Sequence, residues 1–188
     1  MKWRRLWWIP VLLLLGGGTG LLLWREGRLQ RSQDRPISAA ARRYGVEPAL
    51  VKAIVWRESR FHPAARGRSG EIGLMQISED AAQEWADAEH LGGYDHEQCS
   101  DPFTNTLAGT WYLKKLLKRY GQTDNPVPYA LADYNAGRAN VLKWLGGAAA
   151  TNSAAFIEQI GFPGTKEYVE SVMRRCEEYR TIVSKGPE

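Results

Sequence analysis

Cysteine is scarce in this chain, and its scarcity excludes two architectures. Cys99 and Cys176 are the only two among 188 residues, and neither stands at zinc-ligand spacing. A disulfide-dense scaffold and a thiolate metal module are therefore ruled out. In an oxidising compartment the two could bridge, closing a loop of about 78 residues and adding up to ~4 kcal/mol. Two buried free thiols are the competing reading, because spacing alone does not reveal pairing. A basic face is also missing. The net charge is +4, but Lys2, Arg4, Arg5, Arg25, Arg28, Arg31 and Arg35 against Glu26 and Asp34 place +5 of it in residues 1–35. The remainder holds 18 basic and 19 acidic residues, which removes the electrostatic signature of a nucleic-acid binder. Internal repeats are absent too.

One long hydrophobic run does exist. Leu6 to Trp24 carries no charge over 19 residues. As a helix it would span roughly 28 Å, about the hydrocarbon thickness of a bilayer. Trp7, Trp8 and Trp24 stand at its ends, where interfacial indoles are favoured. Arginines flank both sides, so local charge bias is ambiguous. The short basic head before a long polar domain predicts a signal anchor and linker over 1–35, with the N-terminus in the cytoplasm and the domain outside it. A cleaved signal peptide competes, since Gly16 to Gly20 are small, but an A-x-A-like site is missing.

Residues 36–188 read as one helical globular domain. Ser38 is expected to cap a helix ending at Gly45, and Pro48 to open one running to about Glu58. Ser78 starts another through Trp85, and Asp101-Pro102 opens the longest interior helix, up to Gly121. A segment with Pro126 and Pro128 leads to a helix ending near Tyr134. Val141–Leu145, Ala154–Ile160 and a terminal helix from Lys166 to about Val183 complete the set. At most a small β-hairpin fits between Arg66 and Met75, where Gly67, Gly70 and Gly73 interrupt any helix. The fold class is mainly α, and most of the tryptophans in the domain are expected in its core.

Glu58 follows Ile54 by four residues and Leu50 by eight, which puts its carboxyl on or beside a buried helix face. Loss of hydration there raises a carboxyl pKa, as a general acid requires near neutrality. Taken alone, Glu58 reads rather as a surface glutamate paired with Arg57 or Arg60 at the helix end. Gly73-Leu74-Met75-Gln76-Ile77 presents a polar amide between hydrophobes, and Gln76 can both donate and accept. Tyr134-Asn135-Ala136-Gly137 taken alone is an ordinary helix end. His90, Asp95 and His96 lie in polar surroundings and read as solvated side chains, so no metal is expected.

Five segments in order carry a family resemblance: Glu58-Ser59, Gly73 to Ile77, Asp101 through Asn105 and Gly109 to Tyr112-Leu113, Ala132 to Gly137, and Tyr168-Val169 after Pro163 and Thr165. Over about residues 37–180 the chain resembles the catalytic domain of the soluble lytic murein transglycosylase (SLT) family, which has a lysozyme-like fold. The resemblance implies Glu58 as the single catalytic acid/base, with Ser59 supporting it or the glycan. It implies Met75 and Gln76 lining the cleft, Tyr134 hydrogen-bonding and orienting Glu58, Asn135 shaping that pocket and Tyr168 contacting sugar. Gly67 departs from the pattern, standing where many members carry a serine facing the substrate's acetamido group. Gly164 replaces an acidic residue before the last threonine.

The resemblance further implies peptidoglycan glycan strands as substrate and no cofactor; together with the apolar run, the expectation is a monomer anchored in the inner membrane with its catalytic domain in the periplasm. Glycosidases ordinarily use two carboxylates. Here Asp133 is expected to point elsewhere and Glu71, in a glycine-rich loop, to be solvated. A single acid implies cleavage of the MurNAc–GlcNAc bond with formation of a 1,6-anhydro sugar. A hydrolytic muramidase using Asp133 or Glu71, and a non-catalytic glycan-binding module, are the alternatives.

Overall fold

Most helices of this chain begin where a side chain accepts a free first-turn N–H or a proline removes one. The computed structural model describes residues 27–184. A helical stretch over 27–32 leads into α1 (Asp34–Tyr44), followed by α2 (Pro48–Ser59), α3 (Glu79–Ala88) and α4 (Pro102–Arg119). Then come α5 (Pro126–Ala136), α6 (Arg138–Trp144), α7 (Ser153–Gln159) and α8 (Pro163–Ser184). Ser78, Asp101, Asn125 and Asn152 each accept a first-turn N–H, of α3, α4, α5 and α7 respectively. Prolines fill the first turns of α2, α4 and α5. Gly45, at φ 62°, ends α1 in the left-handed conformation. Ser38 does not cap α1 but lies inside it. The helix starts four residues earlier because Pro36 falls in its first turn, where a missing N–H breaks no bond.

The mainly α reading holds, and the expected hairpin shrinks to two isolated antiparallel bridges, Arg66 with Ile72 and Ile72 with Ile77. Positive φ at Gly70 (92°), Gly73 (77°) and Gln76 (46°) turns the chain too sharply for a ladder to extend.

Helix α2 is largely buried and packs against α8 and α1, while α1 also packs on α4 and α5 bridges α4 and α8. Val51, Ala53, Ile54 and Val55 are each wholly buried, and each of the larger three contributes about 1.5–3 kcal/mol by leaving water. Tyr129 stacks on Phe156 with ring centroids 4.1 Å apart, filling the corner between α5 and α7. A smaller cluster of Ile72, Ile77, Trp85, Cys99 and Ala108 lies beneath the 72–77 loop. Cys99 belongs to that cluster and Cys176 to the main one, and both are free thiols. The disulfide reading therefore fails: each sulfur is held in a different part of the core.

Asp133 does point away from the centre, as expected. It is 2% exposed and accepts from Arg119 Nη1 and the Tyr120 hydroxyl, both at 2.6 Å. The apolar run at 6–24 lies outside the described residues, and among those described no helix is long and apolar enough to cross a membrane.

Candidate active site

The acid sits where α2 runs out. Glu58 is the penultimate residue of that buried helix, so its backbone is fixed by the core while its carboxyl reaches the rim. Tyr168 comes from α8, the helix packed along α2, with its ring 2% exposed. Its hydroxyl donates to Glu58 Oε1 at 2.6 Å. Burial strips water from the Glu58 carboxyl and pushes it up to about 7, against an ordinary value of 4.5. The Tyr168 hydrogen bond and the Arg57 guanidinium pull it back down, and the Glu71 carboxylate pushes it further up. Burial, then the nearby Glu58 charge, raises both Tyr134 and Tyr168 well above the usual phenol range. Both phenols are therefore neutral donors, and near neutrality Glu58 carries a proton on a substantial fraction of molecules.

The loop facing Glu58 is fastened from three helices. From α2, the Ser59 hydroxyl bonds the Leu74 carbonyl at 2.8 Å, with the Val55 carbonyl at 3.1 Å. From α5, the Tyr134 hydroxyl donates to the Met75 carbonyl at 2.8 Å. From α4, the fully buried Asn105 donates through Nδ2 to Ile72 O (2.7 Å) and Cys99 O (2.9 Å), and its Oδ1 accepts from the Met75 N–H (2.8 Å). A Cβ on Gly73 would lie 2.3 Å from Asn105 Nδ2, so glycine there is demanded by contact as well as by its positive φ. Gln76 Nε2 donates to Gly73 O (2.9 Å) and Ala65 O (3.1 Å).

Several expected roles change with this geometry. Tyr168, expected against sugar, is the residue that holds Glu58, while Tyr134, expected on Glu58, holds the Met75 carbonyl instead. Met75 was expected to line the cleft, but its side chain is fully buried, with its sulfur 3.8 Å from the Thr110 hydroxyl and packed on Gly109. Ser59 is 8% exposed and spends its hydroxyl on backbone carbonyls. Asn135 is exposed and accepts from the Thr165 hydroxyl at 2.8 Å, linking α5 to the start of α8. Asn105 gained no role from its motif alone. The available signal was a carboxamide three and four residues before Ala108 and Gly109, on the helix face that folding buries, where it is obliged to find partners.

A proton-bearing carboxyl at a helix end, held by a phenol and facing a stapled loop, is an arrangement that can support general acid–base chemistry. The Transglycosylase SLT domain family matches residues 35–157, and the chain belongs to that family. It is 34% identical over 144 residues to the soluble lytic murein transglycosylase of Escherichia coli K12, covering 76% of this chain and 22% of that protein. Membrane-bound lytic murein transglycosylase F of Desulfosudis oleivorans is 34% identical over 108 residues, covering 56% and 22%. Among solved structures, an inactive mutant of lytic transglycosylase Slt from Pseudomonas aeruginosa aligns with a TM-score of 0.72 at 25% identity, covering 81% of this chain and 24% of that one. The complex of a 70 kDa soluble lytic transglycosylase with bulgecin A gives 0.71 at 30% identity, covering 79% and 24%. The chain thus spans 22% of the length of these curated relatives.

Proposed function

We propose that this domain is a peptidoglycan lytic transglycosylase, cleaving the β-1,4 bond between N-acetylmuramic acid and N-acetylglucosamine with Glu58 as acid and then base. The observation that carries the reading is the Glu58 carboxyl, pushed up to about 7 and aimed by Tyr168 at 2.6 Å. A carboxyl so tuned can give a proton and take one back within the same cycle.

Glu58 protonates the glycosidic oxygen as the bond to C1 breaks, and the substrate's own acetamido oxygen stabilises the positive charge growing at C1. The resulting carboxylate accepts the proton of the C6 hydroxyl, whose oxygen bonds to C1 and closes a 1,6-anhydro ring. The proton given equals the proton recovered, and water is not consumed. Intramolecular attack holds a large proximity advantage over water. Tyr168, donating to the Glu58 carboxyl throughout, favours its charged form after the first transfer. The chemistry calls on no cofactor. The domain would act as a monomer in the periplasm, tethered to the inner membrane through residues 6–24. That arrangement keeps it within reach of the wall.

The test is digestion of purified peptidoglycan followed by mass spectrometry of the muropeptides. Products one water lighter and lacking a reducing end support the reading, whereas hydrated, reducing products would replace it with a muramidase. Binding without products would mark a glycan-binding module. Retained activity in Glu58→Gln would refute the site.

A further inference from the structure

The glycine at position 67 leaves a space that another residue fills. The Gly67 N–H donates to the Glu71 carbonyl at 2.8 Å, folding the loop so that Glu71 turns back over it. A Cβ on Gly67 would lie 2.0 Å from Glu71 Oε2 and 2.9 Å from its Cδ. The Glu71 carboxylate therefore lies directly over the Gly67 Cα and is only partly exposed, not extended into solvent. The Ser69 N–H donates to the same Oε2 at 3.0 Å and fixes its position.

Gln76 reaches this spot from the other side. Its Nε2 serves Ala65 O and Gly73 O, which settles the orientation of the amide and leaves Oε1 facing the gap. That oxygen would lie 3.0 Å from the same Cβ point. Two oxygens at 2.0 and 3.0 Å from one point are at most 5.0 Å apart. A single donor atom about 2.9 Å from each can bridge such a pair. Both members are acceptors and one is charged. The seat therefore repels a carboxylate or a carbonyl oxygen and attracts an N–H or O–H group.

We infer that Glu71 is a substrate-contacting, specificity-determining residue, which with Gln76 Oε1 forms a two-acceptor seat for a hydroxyl or amide N–H donor of the glycan, in place of the side chain that Gly67 lacks. The inference rests on the glycan-cleaving reading of Glu58. The seat adjoins that acid through the loop: Gln76 follows Met75, whose carbonyl is held by Tyr134 beside Glu58. Its charge also reaches the acid. Tyr168 from α8 and Arg57 from α2 lower the Glu58 carboxyl, Tyr134 from α5 is a neutral neighbour, and Glu71 from the loop raises it together with burial.

The full chain is assayed on uncrosslinked, fully N-acetylated glycan strands, comparing wild type with Glu71→Ala, Glu71→Gln and the remote surface control Glu84→Gln. Loss of a hydrogen bond to a charged acceptor raises KM roughly tenfold in Glu71→Ala, with kcat less affected. In both Glu71 variants the alkaline limb of kcat/KM moves to lower pH, because the charge that raised Glu58 is gone. Glu84→Gln changes neither. Glu71→Gln preserves the size and the Ser69 contact, so its pH limb decides the matter if Glu71→Ala fails to fold. Wild-type KM and pH profile in a folded Glu71→Gln protein overturns the inference. Hydrated, reducing products from wild type that vanish in Glu71→Gln also overturn it, by making Glu71 a water-activating base. If Glu58→Gln is inactive while the Glu71 variants are silent, only this inference falls. Activity in Glu58→Gln brings down the underlying reading itself.

Discussion

Replacing the acid should make the protein more stable, and by an amount that depends on pH. In the folded chain the Glu58 carboxyl holds its proton up to about 7, whereas its unfolded value is 4.5. Below pH 4.5 both states carry the proton, and the charge makes no difference to folding. Between 4.5 and about 7 the folded state binds a proton that the unfolded state has released, so stability falls as pH rises. At about 1.36 kcal/mol per pH unit, that interval amounts to roughly 3 kcal/mol of penalty, fully present above it. The carboxyl is partly open to solvent, which trims the figure to about 2–3 kcal/mol. Glu58→Gln keeps the shape and still accepts from Tyr168, but never ionises. Thermal melts followed by circular dichroism at pH 4, 6 and 8 should show the variant matching wild type at pH 4. At pH 8 it should melt roughly 5–10 °C higher, given about 2–4 °C per kcal/mol for a chain of this size. A constant offset across the three pH values, or a variant less stable at pH 8, would refute the placement of Glu58 in a desolvated site.

Tyr168→Phe removes the donor on Glu58. Cleavage should fall about 10–100-fold, and the alkaline limb of the pH–rate profile should move upward because a charge-stabilising bond is lost; kcat/KM against pH reads both. Asn105→Leu strands Met75 N–H and the Ile72 and Cys99 carbonyls, so chemical denaturation should show a loss of roughly 3–5 kcal/mol together with loss of cleavage. Gly109→Ala pushes a methyl to 2.6 Å from the Met75 sulfur, and the same measurement should give about 1–3 kcal/mol of destabilisation. Reductant should leave the melting temperature unchanged, since Cys99 and Cys176 are separate thiols.

Helix placement was legible because its determinants are local. Pro48, Ser78, Asp101 and Gly45 act on the backbone within a turn of themselves, and the structure puts each where that action requires. Ser38 misled because a serine is a cap only if the helix starts there, and Pro36 permits an earlier start. The burial of the Glu58 carboxyl was legible from its register behind Leu50 and Ile54. Its support was not, because Tyr168 meets Glu58 across 110 residues of chain, and no spacing rule relates them. The apolar-polar-apolar pattern around Gln76 already puts Met75 inward, where the Asn105 staple holds it; its expected place in the cleft came from the resemblance alone. Glu71 looked solvated among glycines because Gly67 announces a missing side chain, but not what moves in to replace it.

The bond from α8 to Glu58 has a consequence for the order of events in a cell. A chain made from its N-terminus completes α2 more than a hundred residues before Tyr168 exists. Until the last helix docks, the carboxyl at the end of α2 keeps its water and its ordinary acidity, and its proton is gone at neutral pH. A chain that has made α2 but not yet α8 thus holds an ordinary carboxylate at position 58, and the docking of the helix that carries Tyr168 is what raises its proton affinity.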